Sequence, residues 1–126
     1  MVMLGTLRKD GSPRISPVEV VFTEGQLYLG MMWLPKKAMD LLRDPRGTIH
    51  SATSDRDGSQ GDFKLFGKAI EVDDLEARHR YCDAVYEKIG FKPEELEFHL
   101  FSLDVESAAL VEFKDEKMTN RVWKAD

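Results

Sequence analysis

The residues best placed to do chemistry are Lys36 and Lys37. They follow Pro35 and precede Ala38, Leu41 and Leu42, which fall at i, i+3 and i+4 on one helical face; Asp40, Arg43 and Asp44 take the other side, and Pro45 stops the run. The lysines thus sit in the first turn of a short helix, where Pro35 costs no hydrogen bond. Two cations there oppose the positive end of the helix dipole, a penalty of roughly 0.3–1 kcal/mol each when exposed. A bound anion reverses the sign, because a phosphate would accept from free backbone N–H groups and from two ammonium groups together. The alternative is a pair of ordinary surface lysines.

The other reactive side chains read more plainly. His50, His79 and His99 have no short metal spacing, since two lie on separate strands and one on a helix, so no metal site is expected. Cys82 falls on the apolar face of its helix and reads as core rather than nucleophile, and as the single cysteine it excludes an internal disulfide. Thr48-Ile-His-Ser51 is a strand end with no nucleophile elbow around the serine. The Glu94-Glu95-Leu-Glu97 run reads as the solvated face of a helical turn, and Trp33 as pocket lining or a loop anchor.

The elements that must position the lysines form a β pattern. Val2 to Leu7 is a strand, Lys9 to Pro13 an Asp-Gly turn, Arg14 to Phe22 a second strand, and Gln26 to Gly30 a third that feeds the helix. The chain thus starts inside its first strand, and an N-terminal helix is expected to be missing. Gly47 to Ala52 and Phe63 to Val72 continue the pattern around a polar loop, Thr53 to Gly61. Asp73-Asp74 offers a cap for a helix of about four turns with Leu75, Arg78, Cys82, Val85 and Ile89 at helical spacing and Gly90 at its end. Phe98 to Val105, Ala108 to Phe113 and Met118 to Trp123 are the final strands, the last two joined by Lys114 to Lys117. About six to eight antiparallel strands with two helices suggest a mainly β fold closed into a barrel, because closure removes exposed edges.

A chain of 126 residues, 42% apolar and 33% charged, predicts one domain spanning residues 1–126. Its net charge of -5 argues against a nucleic-acid or anionic-membrane partner. The longest apolar run, Leu27 to Leu34, is too short to span a bilayer, and no charged-then-apolar leader opens the chain. The cytoplasm is the expected location.

Leu4-Gly-Thr-Leu-Arg-Lys-Asp-Gly-Ser-Pro-Arg-Ile-Ser-Pro-Val18, the strand ending Leu-Tyr-Leu-Gly30 and the run Lys36 to Arg46 resemble the pyridoxamine 5'-phosphate oxidase-like, FMN-binding split-barrel family. Gly61 to Glu71 resembles its fifth strand, and Val122-Trp123 its C-terminal part more weakly. The resemblance implies a split β-barrel and a homodimer with cofactor sites at the interface. It places phosphate contacts on Arg14, Lys36 and Lys37, and the ring system along the Val18-Glu19-Val20 backbone and the Gly30-Met31 corner, with Met31 and Met32 as soft lining. Asp62 falls where a polar residue reaches the flavin from the partner chain, and Trp123 where an aromatic closes the pocket.

Three departures from the family pattern matter. A serine that commonly precedes the basic pair is Pro35 here, which has neither hydroxyl nor N–H. The lysine that contacts pyridoxal phosphate in the true oxidases falls on Glu19, and the C-terminal Arg-X-His substrate motif is absent, the chain ending at Asp126. Pyridoxamine phosphate oxidation is therefore not the expected activity. The resemblance implies an oxidoreductase that binds FMN and passes hydride to a small organic acceptor. Its alternatives are a reductase using the deazaflavin F-420, and a non-catalytic flavin, deazaflavin or haem binder that stores or shields its ligand. No catalytic acid or base is evident; Glu19 would serve only if buried.

Overall fold

A computed structural model of the chain describes residues 1–53, 55–91 and 98–126. Seven strands and two helices follow in order: β1 Val2–Leu7, β2 Pro13–Thr23, β3 Gln26–Met32, α1 Lys36–Arg43, β4 Arg46–Ser51, β5 Asp62–Glu71, α2 Leu75–Ile89, β6 Phe98–Lys114 and β7 Lys117–Lys124. The Glu94 to Glu97 run lies outside the described residues.

All pairings are antiparallel, in the order β3-β2-β1-β4-β5-β6-β7, and a further β3–β6 pairing closes six of the strands into a ring. The sheet is therefore the expected barrel, and the way it splits is visible in β6. Phe98 to Ser102 of β6 pairs with β3, whereas Ser107 to Lys114 pairs with β7. One strand edge thus serves the ring first and then leaves it, carrying β7 outward.

The sequence pattern breaks β6 into two strands, and the structure joins them. No turn separates Val105 from Ala108; instead the β5–β6 register shifts once, so that Gly67 faces Val105 and Phe66 faces Ser107, leaving Glu106 as a bulge. Gly67 permits this, because a Cβ there would lie 2.2 Å from the Asp104 carbonyl oxygen. A bulge carries the bend without the Gly-Pro-Asn punctuation by which strand ends are read.

Alternation along the strands builds two cores. Val2, Leu4, Val18, Leu27, Leu29, Met31, Ile49, Phe101 and Leu103 fill the barrel, closed at one end by Ala38 and Leu41 of α1. On the outer face Val21, Tyr28, Phe98 and Leu100 meet Tyr81, Cys82 and Val85 of α2. That helix starts where expected, the Asp74 carboxylate accepting from the Ala77 N–H at 3.0 Å, and ends at Gly90 with φ 72°. Its apolar stripe is shifted from the expected one: Ala77 and Tyr81 are buried, while Leu75 and Ile89 are exposed.

Helix α1 is also turned relative to its sequence reading. Asp40 is buried at 3% exposure and Leu42 is 45% exposed, the reverse of the apolar spacing. The reason is polar satisfaction: Asp40 Oδ2 accepts from Thr6 Oγ1 at 2.8 Å and from Arg14 Nε at 2.7 Å, and Oδ1 from Arg43 at 3.3 Å. Three donors make a carboxylate tolerable where an apolar group is the rule.

Candidate functional site

Arg14 and Thr6 are cross-strand partners of β2 and β1, which places both beside the end of the barrel that α1 covers. The helix lies along β2, with Asp40 against Arg14 and Lys37 one turn earlier donating its Nζ to the Pro17 carbonyl at 2.6 Å. The structure therefore holds Arg14 and Lys37 at one corner, with Lys36 beside Lys37 in the first turn of α1. Among the described residues the hydrogen bond of Arg14 uses Nε, which leaves the terminal nitrogens of its fork to a ligand. Lys36 is exposed.

Electrostatics at this corner favour an anion. Burial pushes the Asp40 carboxyl up, but hydrogen bonds from Arg14, Thr6 and Arg43 more than offset this and hold it below the usual carboxylate range. It stays charged, yet it faces two cations, Arg14 and Arg43, and the first turn of α1 adds Lys36 and Lys37. Partial burial lowers the Lys37 ammonium, a strain that a nearby phosphate would relieve. The helix begins at Pro35 without a side-chain cap, after Leu34 at φ 62°, a backbone region costly for a leucine. The Ala38 and Met39 N–H groups donate to the Pro35 carbonyl, which leaves those of Lys36 and Lys37 to a ligand among the described residues, and the donor set fits a phosphate monoester.

The remaining sequence-derived site residues are not gathered there. Val18 and Met31 point into the barrel core, Met31 at 4% exposure, so each offers a ligand only its backbone. Gly30 pairs with Glu19, and a Cβ on it would fall 1.8 Å from the Tyr81 hydroxyl oxygen. The docking of α2 therefore requires a glycine here. Tyr81 is buried tightly enough that its hydroxyl is pushed up to about 12, first by burial and then by Cys82 and Glu19. Glu19 itself is exposed, which removes the burial that a role as base requires. Met32 and Trp33 are exposed beside the helix start.

Asp62 and Trp123 lie on the split part of the sheet. Asp62 faces Val111 and sits 3.6 Å from His50 Nε2. Trp123 faces Ala108, which in turn faces Leu65, so it belongs to the opposite sheet face from Asp62. Phe22, Phe63, Leu65, Leu110 and Trp123 line a largely apolar cleft of ≈ 480 Å3 where the barrel opens, with Arg121 also in its wall. Sequence reading missed Asp40 and Thr6. The one available signal was an acidic residue three positions after a lysine whose helix must pack against an arginine-bearing strand.

No curated protein sequence matched the chain. Among solved structures it is similar to a pyridoxamine 5'-phosphate oxidase-related, FMN-binding protein from Nostoc punctiforme (15% identity, TM-score 0.75, 99% of this chain and 81% of that one). It is also similar to the haem storage protein HutZ from Vibrio cholerae (19%, 0.71, 83% and 80%). A haem binding protein from Mycobacterium smegmatis aligns at 23% identity and TM-score 0.72 over 95% of this chain, which spans only about half (51%) of that one. These identities speak to the fold alone. The family model described as pyridoxamine 5'-phosphate oxidase matches residues 1–112, and the chain belongs to that family.

Proposed function

We propose that the protein is an oxidoreductase that binds FMN and passes hydride to a small organic acceptor, working as a homodimer with the cofactor at the interface. The observation that carries this reading is the corner where β2 and α1 meet: Arg14 and Lys37 are held there, and Lys36 stands exposed in the same first turn of a helix whose start has no side-chain cap. Arg14 would give the phosphate a planar fork, Lys36 and Lys37 point charges, and Asp40 would keep the fork in place. FMN, when bound, supplies the hydride chemistry; the protein's part is to hold it, orient it and keep water away. Met32 and Trp33 would shield one side of the site, and Trp123 would close it. Glu19, acidic and exposed, suits neither a second phosphate nor proton transfer, so pyridoxamine phosphate is not the proposed substrate.

The test is a titration of the protein with FMN and, separately, F-420. FMN is expected to bind with Lys36→Ala, Lys37→Ala weakening it ten- to over a hundredfold, the equivalent of about 1.5–3 kcal/mol for a charge-assisted bond. Unchanged affinity in that variant removes the phosphate assignment, and a clear preference for F-420 makes the deazaflavin the cofactor. Consumption of an electron donor with a quinone or enone then separates enzyme from storage protein. The haem-binding neighbours favour a second reading, haem binding without turnover, which a haem titration with no donor consumption would support.

A further inference from the structure

The hydroxyl of Tyr81 is a polar group that neither the packing of α2 nor the phosphate corner employs. Its ring packs against Tyr28 on β3 and Phe98 on β6, with centroids 6.1 and 5.5 Å away. The hydroxyl oxygen reaches Gly30, where it takes the space of a side chain: a Cβ on that glycine would lie 1.8 Å from it. Strand β3 thus carries at Gly30 a hydroxyl that its own sequence does not supply. Among the described residues this hydroxyl has no hydrogen-bond partner, yet it is not one of the unmatched polar atoms sealed from solvent. Tyr81 keeps 4% of its surface, and part of that belongs to the hydroxyl.

The strands around Gly30 define what can meet it. Gly30 pairs with Leu100 of β6 on one side and with Glu19 of β2 on the other. Leu100 is buried under α2, whereas Glu19 is exposed and close enough to act on the Tyr81 proton, so the hydroxyl stands at the margin of the helix beside the open face of β2. Two residues before Glu19, on the same strand face, the Pro17 carbonyl accepts from Lys37. The hydroxyl is therefore ~7 Å along β2 from the phosphate corner and one strand, ~5 Å, across, a separation that the five-carbon chain between the phosphate and the ring of FMN bridges. The rim of that ring is built mostly of acceptors, while the Glu19 carboxylate can only accept and the main chain of Gly30 is engaged by strands on both sides. Burial pushes the Tyr81 hydroxyl up to about 12, with Cys82 and then Glu19 acting in the same direction, so near neutral pH it keeps its proton and donates.

We propose that Tyr81 is a cofactor-binding residue whose hydroxyl donates a hydrogen bond to a ring carbonyl of FMN lying against the Glu19–Gly30 step. The assignment rests on the FMN reading and adds to it a contact from α2, a helix that otherwise has no part in the site. It also joins the two properties of Gly30: the missing side chain admits the hydroxyl, and the hydroxyl meets the ring.

FMN labelled with carbon-13 at its two ring carbonyls, bound to the full chain and followed by infrared difference spectroscopy, tests the contact. Tyr81→Phe keeps the packed ring and removes the hydroxyl alone. One labelled carbonyl stretch is expected at higher wavenumber in this variant than in the wild type, with FMN affinity roughly two- to tenfold weaker, the size of one neutral hydrogen bond. Tyr86→Phe, at an exposed position farther along α2, should change neither. A second measurement needs no variant: the Tyr81 Cζ resonance of the wild type should shift on adding FMN while that of Tyr86 stays in place. Carbonyl bands that superimpose in the wild type and Tyr81→Phe with FMN bound to both, or an unmoved Tyr81 Cζ, overturn this contact and leave FMN binding standing; a wild-type chain that takes up no FMN overturns both together.

Discussion

Asp40 is the residue on which the basic corner turns. A buried carboxylate that accepts from Thr6, Arg14 and Arg43 fixes the end of α1 to β1 and β2 and limits where the Arg14 fork can point. In Asp40→Asn one acceptor oxygen becomes an NH2 group facing donors, and a charged hydrogen bond becomes a neutral one. A loss of about 2 kcal/mol is expected by urea denaturation, with weaker FMN binding because Arg14 is released. The pH dependence carries the sign of the effect. Since the folded carboxyl titrates below its ordinary 3.8, its contribution is complete above that value and is lost as pH falls through the folded pKa. The variant should therefore show a flatter acid limb than the wild type; parallel limbs would place the stabilising charge elsewhere. Nothing in the spacing of α1 reveals this residue, because the period of Ala38, Leu41 and Leu42 describes an apolar face and is blind to a carboxylate whose three donors come from distant strands and the next turn.

Helix α2 reaches the barrel through a contact of the same hidden kind. Gly30, which the family resemblance assigns to the cofactor, is also the point where Tyr81 rests on β3. Gly30→Ala would put a methyl 1.8 Å from the Tyr81 hydroxyl oxygen and 2.6 Å from Cζ. Tyr81 is buried and has little room to move, so about 1–3 kcal/mol of destabilisation is expected. Removing the hydroxyl alone in Tyr81→Phe should leave most of this cost, while Tyr81→Leu should cancel part of it in a double-mutant cycle followed by thermal denaturation. Additive costs would mean that the helix does not rest on this glycine. The strands, both helices and the caps of α2 are legible because they are written in local periods and in Asp74 and Gly90. The continuity of β6 was not, since a bulge at Glu106 depends on a facing glycine about forty residues earlier. The rotation of α2 is not legible either, because Leu75 and Ile89 have the right spacing but lie at the two ends of the helix, where both are exposed.

On the scale of the whole molecule, the barrel is an unfinished container. β6 leaves the ring after Ser102, and the apolar inner face continues into the open past Phe63, Leu65, Leu110 and Trp123, with Phe22 at its rim. Phe22 is 69% and Trp123 52% exposed, an arrangement that costs solubility unless something covers it. In the proposed homodimer a second copy covers this cleft and the cofactor lies between the two chains, so the sites and the interface must be linked. Whatever FMN gains from the dimer, the dimer gains from FMN by the same factor. Phe22→Asp is expected to keep the fold, because the side chain is largely in water in the single chain, but to weaken self-association by placing a charge in the seam. Sedimentation equilibrium over a range of concentrations, with and without FMN, reads both effects. The wild type should be dimeric at micromolar concentration and more tightly so with FMN, the variant monomeric, with FMN affinity falling together with its dimer fraction. A monomeric wild type that binds FMN at full strength would dissolve the link, placing the whole site within one chain at the corner of Arg14, Lys36 and Lys37 and leaving the open cleft to another partner.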